Sequence, residues 1–180
     1  MKKLLLIICF IFTIFLSANA STIIVAPHWN KETISVYIPK DNKKSITMKH
    51  AFQKWENNSY DKLKFNYVEK KPADIEVEFS ETAMTNDTPI SGYSVTLQNN
   101  EIKNAKIDIS TKNIKNYSND YVYTVMLHSV GHALGLQDTN RKGSGIMYSP
   151  VNEKIDLTKR NIKKLYALNN WSWKDKTFGE

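Results

Sequence analysis

Residues 128–138 read "HSVGHALGLQD", with His128 and His132 four apart, Gly135 three further on and Asp138 three beyond that. On a helix, side chains four apart leave the same face one turn above the other. Two imidazoles so placed can share one zinc ion at about 2.0–2.1 Å each. Gly135 tolerates positive φ and lets the chain break sharply from the helix. Asp138, past that bend, can swing back as a third ligand. Carboxylate oxygen is a zinc ligand, and three protein ligands with an open fourth position make a catalytic rather than a structural arrangement. The other two histidines, His28 and His50, have no comparable spacing.

Each piece has a bland counterpart. A lone HxxxH pair is commonly two polar residues near a surface, a glycine there is a helix cap, and an aspartate is a loop residue. Their joint order, followed closely by Gly145-Ile146-Met147-Tyr148, makes coincidence improbable.

The elements that must position these residues follow from periodicity. "TISVYIP" (33–39), "KLKFNYVE" (62–69) and "ADIEVEFS" (73–80) alternate apolar and polar residues and predict strands. "GYSVTLQNNEIKNAKIDIS" (92–110) predicts two strands joined by an Asn-rich turn. "SITMKHAFQKWENNS" (45–59) predicts a helix capped by Ser45, with Ile46, Met48, Ala51, Phe52 and Trp55 approximating one face. The helix carrying the histidines spans "SNDYVYTVMLHSVGHALGL" (118–136), capped by Ser118, Asn119 or Asp120 and ended by Gly135. "DLTKRNIKKLYAL" (156–168) predicts a third, amphipathic helix through Leu157, Ile162, Leu165 and Tyr166. This order implies an α/β (α+β) domain with a mixed sheet.

Residues 1–20, "MKKLLLIICFIFTIFLSANA", read as a signal peptide: Lys2 and Lys3, an apolar run, then Ala18-Asn19-Ala20 as a cleavage site. The run is short for a membrane span, so no stable anchor is expected after cleavage. The protein is expected to be exported, to periplasm or extracellular medium. Residues 21–180 are expected to form a single domain. The sole cysteine, Cys9, lies in the signal segment, which excludes disulfides, a cysteine nucleophile and a cysteine ligand from the remainder. Loss of Lys2 and Lys3 lowers the formal charge by two from +7. The remaining basic residues are scattered, which argues against nucleic acid as a partner.

The site and its surroundings resemble the metzincin metallopeptidases, and among them the matrixins, whose pattern is HExxHxxGxxH followed by a methionine turn beneath the metal. Met147 in "GSGIMYSP" matches that turn. "AFQKWENNSYDKLKFNYVEKKPADIEVEF" and "DLTKRNIKKLYAL" resemble other matrixin elements, so the likeness runs from about Ile34 to Leu168. It implies a twisted mixed five-stranded sheet with three helices, and a secreted zinc metalloendopeptidase. Extended peptide would pair with the edge strand "GYSVTL" by β-augmentation.

Four departures qualify the likeness. Asp138 stands where matrixins have a third histidine. No histidine lies between His50 and His128, so a second, structural zinc is not expected, and calcium sites cannot be judged. No cysteine is available after the signal segment to cap the zinc, and no inhibitory prodomain is expected between the signal and the domain. The methionine is followed by "YSPVN", with Pro150 displaced and Asn152 where a tyrosine is expected.

The chemistry turns on Ser129, which occupies the position of the general-base glutamate. In the family that glutamate takes the proton of the attacking water and delivers it to the leaving amine. A serine hydroxyl is neutral and short, and can do neither transfer. The chain is therefore expected to be an impaired peptidase, with Glu153 or Glu101 as candidate substitutes for the base, or a pseudopeptidase that captures a peptide or protein without cleaving it.

Overall fold

The computed structural model describes residues 26–40, 43–151 and 155–173; residues 1–20, read above as a signal peptide, and Asn152 and Glu153 lie outside them. Five strands form one sheet in the order β2-β1-β3-β5-β4: β1 Thr33–Tyr37, β2 Lys64–Val68, β3 Ile75–Ser80, β4 Ser91–Gln98 and β5 Glu101–Ser110. The first three and β5 run parallel, and β4 returns antiparallel along β5 as an edge strand. Asn99 and Asn100 make that return with φ of 54° and 63°, the paired positive values of a tight hairpin turn that asparagine tolerates. Three α-helices, α1 Ser45–Asn58, α2 Asn119–Ala133 and α3 Lys159–Leu168, complete the fold. The expected mixed five-stranded sheet with three helices is the one observed.

Alternation decides which face of the sheet is covered. Ile34, Val36, Ile75, Val77, Ile107 and Ile109 are fully buried, and register brings Val36 beside Ile75 and Val77 beside Ile107. The opposite face is polar, with Lys106 bridging Glu78 at 2.9 Å and Asp108 at 3.0 Å. Met48, Ala51, Phe52 and Trp55 of α1 are buried in the same core. Trp55 Nε1 donates to the Leu127 carbonyl at 2.9 Å, tying α1 to α2.

Two details of α1 differ from the sequence reading. Lys44, not Ser45, holds the cap position with no capping bond from its side chain, and the Ser45 hydroxyl donates to the Pro39 carbonyl instead. Ile46 is 66% exposed. At 100° per residue it falls about 160° around the helix from Met48, off the apolar face. The third helix has a capping box between Thr158 and Asn161, and its Leu157, Ile162, Leu165 and Tyr166 are buried. Trp171 and Trp173 pack edge-on against Tyr166 at 5.5 and 4.9 Å, so this tryptophan pair belongs to the domain's own core margin. No described helix is long and apolar enough to cross a membrane.

Candidate metal centre

Helix α2 begins where the Ser118 side chain accepts from the Tyr121 N–H at 3.1 Å, and every residue from Thr124 to Ala133 is buried. Its end is a Schellman turn. Gly135 N–H donates to the His132 carbonyl at 2.8 Å and Leu136 N–H to the Gly131 carbonyl at 3.0 Å, with Gly135 at φ 94°. A side chain at Gly135 would also collide with the Pro27 carbonyl. This turn aims the Leu136 carbonyl back at the helix, where it accepts from His132 Nδ1 at 2.9 Å. His128 Nδ1 likewise donates to the Ile146 carbonyl at 2.6 Å.

Those two bonds decide the ring chemistry. A carbonyl only accepts, so each Nδ1 carries the proton and each neutral ring presents its Nε2 lone pair. The Nε2 atoms face one another at 3.0 Å. Asp138 Oδ1 lies 3.2 Å from each of them. The structure therefore brings His128, His132 and Asp138 together, all three of the residues singled out by spacing. The loop holding Asp138 is tied to the methionine turn, since Thr139 N–H donates to the Met147 carbonyl at 2.9 Å and the Thr139 carbonyl accepts from Ser149 N–H at 3.0 Å.

A fourth residue joins them that the sequence reading missed. Asp87, in the loop before β4, is grouped with the other three, its ligand atom and theirs all within 4.8 Å of one another. Nothing local marks it: it sits in a polar stretch, "TNDTPI", with no spacing relation to the histidines. Tertiary placement alone brings it in.

Two buried imidazoles, the buried side chain of Asp87 and the part-exposed carboxylate of Asp138 converge on a centre that favours positive charge. Burial disfavours a charged His128, but hydrogen bonds with Asp138 and Asp87 outweigh it and lift the ring to about 9. Burial has the same opposing effect on His132, which the two aspartates also raise. Hydrogen bonds from both histidines hold Asp138 well below the carboxylate range, against the effect of burial. For Asp87 burial pushes upward and the two histidines pull further downward. Two imidazoles and two carboxylates, preset in tautomer and converging, fit a zinc ion by donor type.

Around this cluster, Met147 is fully buried and packs so closely on α2 that a Cβ at Gly131 would collide with its Sδ. Tyr93 of the edge strand stacks on His132 with ring centroids 4.0 Å apart and planes 7° apart. Ser129 is fully buried. Its hydroxyl donates to the Val125 carbonyl at 3.0 Å and meets Ser91 Oγ at 3.0 Å. Glu101, by contrast, stands at the β4–β5 hairpin, bonded to Asn30 at 2.9 Å and Lys103 at 2.6 Å.

A mixed sheet with an antiparallel edge strand, above a helix presenting an HxxxH pair over a buried methionine, defines a metallopeptidase scaffold. The family model for matrixin, a peptidase family, matches residues 28–169, and the chain belongs to that family, one of zinc-dependent metallopeptidases. No curated protein matches the chain.

Proposed function

We propose that the protein is an exported, zinc-binding matrixin whose ability to hydrolyse extended polypeptide is impaired. His128, His132 and Asp138 hold the metal in this reading, and zinc there supplies a Lewis acid able to polarise a peptide carbonyl. The remaining roles fall to the chain. His128 and His132 are oriented by the Ile146 and Leu136 carbonyls, and Met147 with Gly131 forms the floor. Extended peptide would pair with the outer edge of β4, where Asn86 holds the groups of Tyr93. Export is supported by the composition of residues 1–20.

One observation carries the impairment: the Ser129 hydroxyl is buried and engaged with Val125 and Ser91. It has no proton-transfer capacity at neutral pH and no freedom to turn toward substrate. A positioned acid–base group contributes about 10²–10⁴-fold to rate. A second reading, a pseudopeptidase that binds peptide without cutting it, is favoured by the position of Glu101, whose oxygens are occupied at the hairpin.

The test is cleavage of a quenched peptide library by zinc-loaded protein, with Ser129→Glu and His132→Ala for comparison and zinc content measured by elemental analysis. The expected result is one bound zinc, lost in His132→Ala, and wild-type turnover about 10²–10⁴-fold below Ser129→Glu. Turnover of the wild type equal to that of Ser129→Glu refutes impairment. Turnover at the His132→Ala background selects the pseudopeptidase. Absence of bound zinc ends both readings.

A further inference from the structure

Residues 84–88 do not loop away from the sheet; they lie across the outer edge of β4. A Cβ at Gly92 would collide with the Met84 carbonyl and with Asn86 Oδ1, so the missing side chain lets this segment come down on the strand. Asn86 then spends its whole amide on Tyr93. Its Oδ1 accepts from the Tyr93 N–H at 3.0 Å, and its Nδ2 donates to the Tyr93 carbonyl at 3.2 Å. That reproduces with one side chain the pair of bonds an additional antiparallel strand would make. One position on, Asp87 and Thr88 both direct their N–H groups at the Ser91 carbonyl, at 3.4 and 3.0 Å. A run of hydroxyls then pins the segment to α2: Thr88 to Ser91 at 2.9 Å, Ser91 to Ser129 at 3.0 Å, and Ser129 to the Val125 carbonyl at 3.0 Å.

This anchoring delivers Asp87 to the histidines. Its side chain is 3% exposed, with Oδ1 3.5 Å from His128 Nε2 and 3.4 Å from His132 Nε2. Oδ2 is buried without a hydrogen-bond partner. An ionised carboxylate in that condition is costly unless a cation faces it. The spacing fits a tetrahedral cation such as zinc. Tetrahedral zinc with bonds of about 2.0 Å separates its ligand atoms by about 3.3 Å. The two Nε2 atoms and the two Oδ1 atoms stand 3.0, 3.2, 3.2, 3.4 and 3.5 Å apart in five of their six pairs. The sixth pair, between the aspartates, lies within 4.8 Å.

We infer that Asp87 is a fourth protein ligand, delivered by a strap of residues 84–88, and that this chain closes its own metal centre. The inference rests on the zinc reading proposed above. The strap fills two places at once: the coordination position a catalytic zinc leaves open, and the strand-pairing groups of Tyr93 beside it. A peptide reaching the metal must displace Asn86 and Asp87 together. Ser129 then has a positive role, since its small hydroxyl is the anchor to which Ser91 and Thr88 tie the strap.

Cobalt(II)-substituted protein, titrated with acetohydroxamic acid as a metal-chelating probe, tests this. The wild type is expected to give a four-coordinate visible spectrum that the probe leaves unchanged at concentrations that shift the spectrum of Asp87→Ala. Zinc affinity of Asp87→Ala should fall by more than the roughly 10–100-fold that loss of an outer hydrogen-bond partner costs. Asp87→Asn, of equal size, should also lose affinity, which separates ligation from packing. Asn86→Ala keeps all four ligand side chains but frees the strap from Tyr93, so it should lose less zinc affinity than Asp87→Ala while admitting the probe at a lower concentration than the wild type does. A wild-type spectrum shifted at the same probe concentration as that of Asp87→Ala overturns the inference. So does retention of wild-type zinc affinity in both Asp87 variants. Either of those results leaves the zinc reading intact, whereas a wild type that takes up neither cobalt nor zinc removes the zinc reading as well.

Discussion

Gly131 shows how tightly the metal centre is bound to its floor. It lies one residue before His132 in α2, where alanine would favour the helix by about 1 kcal/mol. A Cβ there would collide with Met147 Sδ and stand 3.0 Å from Trp55 Cζ2, and overpacking of this kind costs about 1–3 kcal/mol. The clash outweighs the propensity gain, so Gly131→Ala is expected to lower stability by up to about 2 kcal/mol, read from urea unfolding. A neutral or stabilised variant would mean that Met147 moves aside freely. At this scale the histidines and Asp138 were legible because helix period and a glycine stop fix their geometry over a short span, while Met147 was legible only through the likeness to matrixins. Asp87 was not. Its position depends on Gly92, Asn86 and three hydroxyls acting across strand and helix, and no spacing in the sequence encodes that convergence.

Among the elements, the turn containing Met147 and helix α3 are joined by one buried side chain. Asn161 Oδ1 accepts from the N–H groups of Ile146 at 3.2 Å and Thr158 at 3.0 Å, while Nδ2 donates to the Ser144 carbonyl at 3.0 Å. Gly145, at φ 77°, fits against the same amide. Because the Ile146 carbonyl orients His128, Asn161 acts on the metal centre from a distance. Asn161→Ala leaves buried donors and an acceptor unpaired, at about 1–3 kcal/mol each. A loss of about 2–4 kcal/mol in urea unfolding is expected, accompanied by weaker zinc binding. Lost stability with unchanged zinc affinity would show that the turn keeps its shape without α3. The strands were readable from alternation, and Leu157, Ile162, Leu165 and Tyr166 announced α3. Ile46 misled because an apolar residue near a helix start was credited to a face it lies about 160° away from.

For the whole molecule, the centre gathers ligands from the loop before β4, from α2 and from the turn after it, so an ion there cross-links segments distant in sequence. An ion bound only by the folded state at 100 times its dissociation constant adds about 2.7 kcal/mol. For a domain of this size that corresponds to a rise of about 5–10 °C in Tm. Calorimetry with and without a chelator should read it, and an unchanged transition would argue against a resident metal. A mixed sheet with helices could be expected from the run of periodic segments, whereas the strand order and the course of residues 84–88 over the edge could not. Burial also sorts the methionines. Met48, Met126 and Met147 have no exposure, while Met84, at the start of the strap, is 40% exposed. In an oxidising surrounding the native molecule therefore offers peroxide a thioether in the strap, and the three interior ones only after it opens. Sulfoxide at Met84 forms whether or not the chain is folded, whereas sulfoxide at Met147 records that the fold was lost, so the second measured against the first is a written history of unfolding.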